Sequence, residues 1–225
     1  MSELIVALDV DSQSEAERIV DVLYPTVKTF KIGIHLFTAC GPSIVAAVRK
    51  RKAEVFLDLK FFDIPNTVAQ AVRAVVNLDV KMLTMHILGD EEMIKASVKA
   101  CRKEADEHKI TPPLLIGVTV LTSKEAKSSD VLTLAKIGID SGLDGVVCSV
   151  QEALLLRQEI KKDFTIVTPG IRSKTGSHND QKRIATVEEA VAAGSNYLVI
   201  GRPILEAKNP LQAAEQFAQE IASNA

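Results

Sequence analysis

Eight short apolar runs recur along the chain, and longer stretches with helical periodicity separate them. The runs occupy residues 4–8, 29–34, 54–59, 81–85, 114–118, 145–148, 164–167 and 197–200. Each is rich in Val, Ile or Leu and nearly continuous in apolar character, which is typical of parallel strands buried on both faces. Amphipathic patterns over residues 15–23, 42–51, 68–78, 91–109 and 210–222 predict helices. Ser12 and Thr186 each stand three residues before a glutamate, a spacing that predicts a capped helix start.

This alternation predicts an α/β fold, and two architectures satisfy it. One is a (β/α)8 TIM barrel, and the other is an open doubly wound sheet. Dividing the 225 residues by eight leaves about 28 for each unit, close to the minimum for a strand, a helix and two loops. No glycine-rich dinucleotide loop follows the first run, which favours the barrel. Because no linker or low-complexity segment interrupts the pattern, we expect residues 1–225 to form a single barrel domain.

The composition narrows the possible partners. Hydrophobic residues make up 47% of the chain, which is ordinary for a globular protein. The formal net charge of −2 argues against binding of nucleic acid or an anionic membrane through overall charge. The apolar runs are shorter than the roughly 18 residues of a membrane span, and the N-terminus lacks the basic start of a signal peptide. Cys40, Cys101 and Cys148 lack metal-type spacing, so free thiols in a reducing compartment are expected. We therefore expect a cytoplasmic protein.

Charged residues stand at the ends of the first and third runs and within the second. They are Asp9, Lys31, Asp58 and Lys60, with Asp63 in the loop that follows. Strand ends meet at one mouth of a barrel, and residues two apart on an extended strand point the same way, so Asp58 and Lys60 should face the mouth together. An alternating array of carboxylates and ammonium groups keeps each group ionised and can hold a proton beside a developing carbanion. One Asp-x-Lys pair alone would fit a surface salt bridge equally well.

A second group of residues has the character of an anion site. Gly170 and Arg172 follow the seventh run, and Gly201 and Arg202 follow the eighth. The loops after strands seven and eight are the usual phosphate site of a TIM barrel. Glycine lets the backbone approach a phosphate closely, and the guanidinium fork matches its oxygens. The pair of loops therefore indicates a small phosphorylated substrate.

Two strings in these regions are specific enough to suggest a family. One reads Asp-x-Lys-x-x-Asp-Ile-Pro-x-Thr from Asp58 to Thr67, and the other reads Thr-Pro-Gly-Ile-Arg up to Arg172. With these strings, the chain resembles bacterial orotidine 5′-monophosphate decarboxylases along nearly its whole length. The resemblance implies a carboxy-lyase of pyrimidine biosynthesis that uses no metal and no organic cofactor. The chain departs from the pattern of many relatives at His35 and in the turn at residues 87–90, two positions without a core catalytic role in the family.

The resemblance also implies a role for each charged residue at the third strand. Lys60 is similar to the acid that protonates C6 of the pyrimidine after carbon dioxide leaves. Asp58 is similar to the carboxylate placed against the substrate's own carboxylate. Asp63 and Thr67 resemble residues that reach into the site of a partner chain, so the resemblance implies a homodimer.

The other implied roles concern substrate binding. Asp9 and Lys31 resemble the groups that bind the ribose hydroxyls, and Lys31 also joins the charged array. Thr122 corresponds to a residue that contacts the pyrimidine ring. The phosphate-binding set implied by the resemblance is Arg172, Gln181, Gly201 and Arg202.

Two other functions stay open. Hexulose-phosphate synthases and ketogulonate-phosphate decarboxylases resemble this chain at Asp-x-Lys-x-x-Asp, but they use magnesium, and in them the loop does not continue as Ile-Pro-x-Thr. A barrel that binds a nucleotide without catalysis is the third possibility. The complete charged set argues against it.

Overall fold

The structure, a computed structural model, describes residues 2–121, 127–172 and 185–224, and in these ranges eight strands alternate with helices. The strands are β1 (Glu3–Ala7), β2 (Thr29–Gly33), β3 (Glu54–Phe61), β4 (Met82–His86), β5 (Leu114–Val118), β6 (Gly145–Val147), β7 (Thr165–Pro169) and β8 (Tyr197–Ile200). The helices are α1 (Gln13–Leu23), α2 (Ile34–Cys40), α3 (Ser43–Lys50), α4 (Pro65–Val76), α5 (Asp90–His108), α6 (Ser128–Asp140), α7 (Val150–Glu159), α8 (Val187–Ala192), α9 (Arg202–Leu205) and α10 (Pro210–Asn224). One 3₁₀ turn, Ile87–Gly89, precedes α5.

The strands close into a parallel barrel in the order of the chain. Each strand pairs with the next, and β8 pairs with β1, with Ile5 opposite Val199. An open sheet would leave β1 and β8 without this pairing, so the predicted (β/α)8 barrel is confirmed. The predicted strands lie within two residues of the observed ones. β2 ends at Gly33, one residue before the end of the predicted run, because Ile34 already begins α2. β3 continues two residues further than predicted, to Phe61, and so includes Lys60.

Two apolar layers explain why the strands are apolar on both faces. Ile5 and Ala7 point into the barrel with Phe56 and Val167, whereas Val6 packs outward against the helices. Successive side chains of a strand alternate between these two layers. Burial of each large aliphatic side chain stabilises the fold by about 1.5–3 kcal/mol. The inner layer fills the barrel, so a ligand can enter only at its ends.

Local signals place several helix starts as predicted. Thr186 and Glu189 exchange side-chain to backbone hydrogen bonds of 3.2 and 2.8 Å, which completes the predicted capping box of α8. Ser12 accepts a bond of 3.3 Å from the Glu15 amide at the start of α1. These bonds satisfy amides that have no partner within the helix. Among the described helices, none combines the length and apolar character that crossing a membrane requires.

Candidate active site at the mouth of the barrel

A cavity of about 260 Å³ opens at the carboxyl ends of the strands. Its apolar floor takes inward-facing side chains from six strands: Ala7, Phe56, Val118, Val147, Val167 and Val199. Its charged wall consists of Asp9, Lys31, Asp58, Lys60, Arg172 and Arg202. The cavity therefore combines an apolar floor with two groups of charged side chains, which is the usual composition of a small-molecule site.

The first charged group forms a continuous array across three strands. The ammonium nitrogen of Lys60 lies 2.7 Å from Oδ1 of Asp58. Nζ of Lys31 lies 3.7 Å from Oδ2 of Asp58 and 3.5 Å from Oδ1 of Asp9. The structure thus brings together the four charged residues that the sequence placed on or just after the first three strands. Positive and negative groups alternate along the whole array.

Asp58 is the buried centre of this array, with 9% of its surface exposed. Burial alone would raise the pKa of Asp58, because a charge is poorly solvated away from water. The positive charges of Lys31 and Lys60 and the hydrogen bonds from Lys60 and Thr84 outweigh burial, and the pKa lies below its usual value. Asp58 is therefore a carboxylate at neutral pH, although it is almost completely removed from solvent.

The backbone at Lys60 is not the regular extended strand that residue alternation assumes. Lys60 has φ of 53°, in the left-handed region that residues other than glycine rarely adopt. The pairing of β3 with β4 shifts register between Leu57 and Phe61. The prediction that Asp58 and Lys60 meet is confirmed, but the irregular backbone brings them together and simple alternation does not.

Thr84 in β4 is a residue of the site that the sequence analysis missed. It is fully buried, and its hydroxyl donates to Oδ1 of Asp58 over 2.9 Å and accepts from the amide of Lys60 over 2.9 Å. A signal was present, because Thr84 stands between the apolar residues Leu83 and Met85 in a strand whose pattern predicts burial on both faces. A buried hydroxyl needs a partner, and a charged group was available in the neighbouring strand β3.

The second charged group lies after β7 and β8. Arg172 and Arg202 both line the cavity. Burial lowers the pKa of Arg172, and the like charge of Arg202 adds to that shift. An anion between the two side chains would relieve this repulsion. Gly170 has φ of 83°, a conformation that favours glycine. A Cβ at Gly201 would lie 3.2 Å from Oδ2 of Asp9, which is a tight contact.

Comparison with known proteins identifies the family. The model of the orotidine 5′-phosphate decarboxylase / HUMPS family matches residues 2–217. The chain belongs to this family. It is 45% identical to the orotidine 5′-phosphate decarboxylase of Saccharophagus degradans over 98% of this chain and 95% of the relative. For the protein of the same name from Aliivibrio fischeri the identity is 46%, over 98% and 97%. The crystal structure of orotidine 5′-phosphate decarboxylase from Lactobacillus acidophilus superposes with a TM-score of 0.87 at 34% identity, over 98% and 99% of the two chains.

The remaining predicted residues of this family member lie away from the cavity or outside the described ranges. Asp63 and Thr67 are exposed, and Asp63 accepts a hydrogen bond of 2.6 Å from the amide of Ile64. Within the described residues, neither of them lines the cavity of its own chain. Thr122 and Gln181 fall outside the described residues, so their roles stay predictions. In the ranges that are described, no three His, Cys, Asp or Glu side chains are grouped so that they could hold a metal ion.

Proposed function

We propose that the protein decarboxylates orotidine 5′-monophosphate to uridine 5′-monophosphate, as a single catalytic domain over residues 1–225. The observation that carries the proposal is the ammonium group of Lys60, bonded to the buried carboxylate of Asp58 at the mouth of the barrel. The names of the relatives from S. degradans and A. fischeri support the same reaction. We further propose that neither a metal ion nor an organic cofactor takes part.

In this proposal, the two charged groups of the cavity bind the two ends of the nucleotide. Arg172 and Arg202 hold the phosphate, and the absence of a side chain at Gly201 leaves room beside them. Asp9 and Lys31 bind the ribose hydroxyls. The pyrimidine then lies over the apolar floor with its carboxylate toward Asp58. Binding energy from the phosphate is used to place the reacting carbon against the array.

The reaction requires one bond to break and one to form. The bond between C6 and the carboxylate breaks, carbon dioxide leaves, and the electron pair stays on C6. The ammonium group of Lys60 stabilises the developing carbanion and transfers a proton to C6, and a proton from water restores the ammonium group. Asp58 holds Lys60 in place, and its own charge opposes the substrate carboxylate and favours loss of that group.

The test is a spectrophotometric assay that follows the loss of orotidine monophosphate absorbance. We expect turnover by the wild-type protein with and without EDTA, and no measurable turnover by Lys60→Ala, which should still bind uridine monophosphate. Lys95→Ala is the matched control, because Lys95 is an exposed lysine paired with Glu91 in α5. Loss of activity in EDTA would assign the protein to the magnesium-dependent enzymes. Undiminished turnover by Lys60→Ala would refute the role of Lys60.

We also propose that the working unit is a homodimer in which Asp63 and Thr67 reach the partner's site. Four large apolar side chains stay exposed after the ends of three neighbouring strands: Ile34 (54%), Phe62 (61%), Ile64 (66%) and Leu88 (61%). Apolar groups of this size gathered on one face are typical of a protein interface. Asp63 lies between Phe62 and Ile64 and is itself exposed, so a second copy that covered this surface would also lie beside Asp63.

Complementation tests the shared site. Asp63→Ala and Lys60→Ala are mixed under conditions that exchange subunits. Each hybrid dimer then has one of its two sites without either substitution, so about half of the wild-type activity is expected per hybrid. Because random exchange makes about half of the dimers hybrids, the equimolar mixture should reach about a quarter of the wild-type activity. Confirmed exchange with no recovery would show that Asp63 acts within its own chain.

We place the protein in the cytoplasm. Cys40, Cys101 and Cys148 are all free thiols, as expected of a protein from a reducing compartment. Burial raises the pKa of Cys101 to about 11, which keeps this thiol protonated and unreactive. Cell fractionation checks the location, and recovery of the protein with a membrane or secreted fraction would contradict it.

A further inference from the structure

Thr84 lies opposite the irregular part of β3. The register pairs Leu57 with Leu83 and Phe61 with Met85. Between these pairs, β3 contains three residues and β4 contains only Thr84, so regular ladder bonds cannot form there. The extra residues of β3 include Asp58 and Lys60, and the left-handed backbone of Lys60 belongs to this segment.

The hydroxyl of Thr84 replaces the missing ladder partner. The amide of Lys60 can only donate, so the hydroxyl oxygen accepts that bond at 2.9 Å. The single hydroxyl hydrogen is then directed to Oδ1 of Asp58, also at 2.9 Å. The same carboxylate oxygen accepts from Nζ of Lys60 at 2.7 Å. One hydroxyl thus binds both the backbone of Lys60 and the carboxylate that holds its ammonium group.

We infer that Thr84 is a positioning residue for the decarboxylation proposed above, because its hydroxyl fixes the relative placement of Asp58 and Lys60. The inference rests on that proposed function. Thr84 is fully buried and does not line the cavity, so it acts through these two residues and not by touching the substrate. The hydroxyl is the essential part of the side chain, because an apolar group could neither accept from the Lys60 amide nor donate to Asp58.

This role predicts a loss in the chemical step more than in nucleotide binding. In the proposal, Arg172 and Arg202 hold the phosphate and Asp9 binds the ribose, and Thr84 is hydrogen-bonded to Lys60 and Asp58 instead of these residues. A displacement of reacting groups by about 1 Å can slow catalysis by about 100-fold. For Thr84→Val we therefore expect kcat to fall by about 10- to 100-fold, with affinity for uridine monophosphate within about threefold of the wild type.

The pH profile gives a second readout, which a purely structural role would leave unchanged. Asp58 is faced by Lys31 from β2, by Lys60 in its own strand and by Thr84 from β4, with Asp9 beyond Lys31. The proposed reaction needs Asp58 as a carboxylate. Loss of the Thr84 hydroxyl removes a bond that favours this charged form, so the acid limb of kcat/KM should move to higher pH in Thr84→Val.

The experiment compares Thr84→Val and Thr84→Ser with wild type in kcat, KM, pH profile and uridine monophosphate affinity. Thr29→Val is the matched control, because Thr29 is also fully buried and donates to a carboxylate, that of Glu54 at 3.0 Å, but lies at the opposite end of the barrel. We expect Thr84→Ser to keep kcat within about threefold of the wild type, since the hydroxyl remains. Thr29→Val should keep the wild-type kcat and acid limb.

Each outcome decides the inference. Wild-type kcat and acid limb in Thr84→Val would refute it and leave the decarboxylase function intact, whereas no turnover by the wild type would refute the function itself. If Thr84→Val does not fold, Thr84→Ser decides the inference. Retained activity in Thr84→Ser supports the role of the hydroxyl, and a loss of activity in a folded serine variant shows that the methyl group matters instead. A loss in Thr29→Val as large as that in Thr84→Val would show a general effect of buried threonines and overturn the inference.

Discussion

Replacing Asp58 by asparagine tests whether the buried carboxylate stabilises the fold as well as the site. The change keeps the shape of the side chain but leaves Lys31 and Lys60 without their shared counter-ion. At an effective dielectric constant near 20, ion pairs of 2.7 and 3.7 Å correspond to attractions of about 6 and 4.5 kcal/mol before desolvation is subtracted. Breaking a buried pair by removal of one partner costs about 3–5 kcal/mol.

Because both ammonium groups retain some contact with solvent, we expect the low end, a loss of about 3 kcal/mol in the free energy of unfolding. For a chain of this size that corresponds to a fall in Tm of about 6–10 °C. Urea unfolding at pH 7 measures the difference. Asp21→Asn is the control, since Asp21 pairs with Arg51 at the exposed surface and its loss should change the free energy of unfolding much less than Asp58→Asn does.

The pH dependence of this difference has a definite sign. The pKa of Asp58 is lower in the folded protein, so its contribution is complete above the unfolded value of about 3.9 and is lost as the pH falls through the folded value. The gap between wild type and Asp58→Asn should be the same at pH 7 and pH 5 and should narrow only below about pH 4. A variant as stable as the wild type at pH 7 would refute the counter-ion argument.

Three further predictions concern the phosphate group, the far end of the barrel and Gly201. Arg172→Met should weaken uridine monophosphate binding by about 10- to 100-fold in calorimetry while leaving uridine binding unchanged, because one charge-assisted contact is lost; equal losses for both would contradict the phosphate assignment. Lys81→Met removes a partly exposed ion pair of 2.6 Å to Glu54 and should lower the free energy of unfolding by about 1 kcal/mol with unchanged kcat. A fall in kcat would link this end of the barrel to the site. Gly201→Ala places a Cβ 3.2 Å from Asp9 and should raise KM by about 3- to 10-fold at unchanged Tm, and an unchanged KM would show that Asp9 moves freely.

The barrel could be predicted from the sequence because its strands are buried on both faces. Runs such as residues 114–118 and 197–200 match β5 and β8 residue for residue. A continuous apolar run of this length is typical of a parallel strand that is buried on both faces. Eight such runs with short separations leave few ways to close a sheet. The convergence of Asp9, Lys31 and Asp58 then follows from the parallel order of the strands.

The fine structure of the site could not be predicted in the same way. The left-handed backbone of Lys60 depends on a register shift between β3 and β4, and no pattern within β3 alone contains that information. Thr84 was missed for the same reason, because its partners belong to another strand. The predicted role of Asp63 and Thr67 cannot be tested on one chain. Both residues are exposed, and their role needs a second copy whose position the sequence does not give.

The pairing of β8 with β1 also sets when the site can first exist during synthesis of the chain. Asp9 follows the first strand and Gly201 follows the last, and the two become neighbours only when the barrel closes. A nascent chain that ends before β8 has the charged array of β1 to β3 but lacks Arg202 and the strand beside Asp9. Contacts between residues so far apart in the chain form late and slowly. During refolding, the first appearance of nucleotide binding should therefore report the moment at which the two ends of the chain meet.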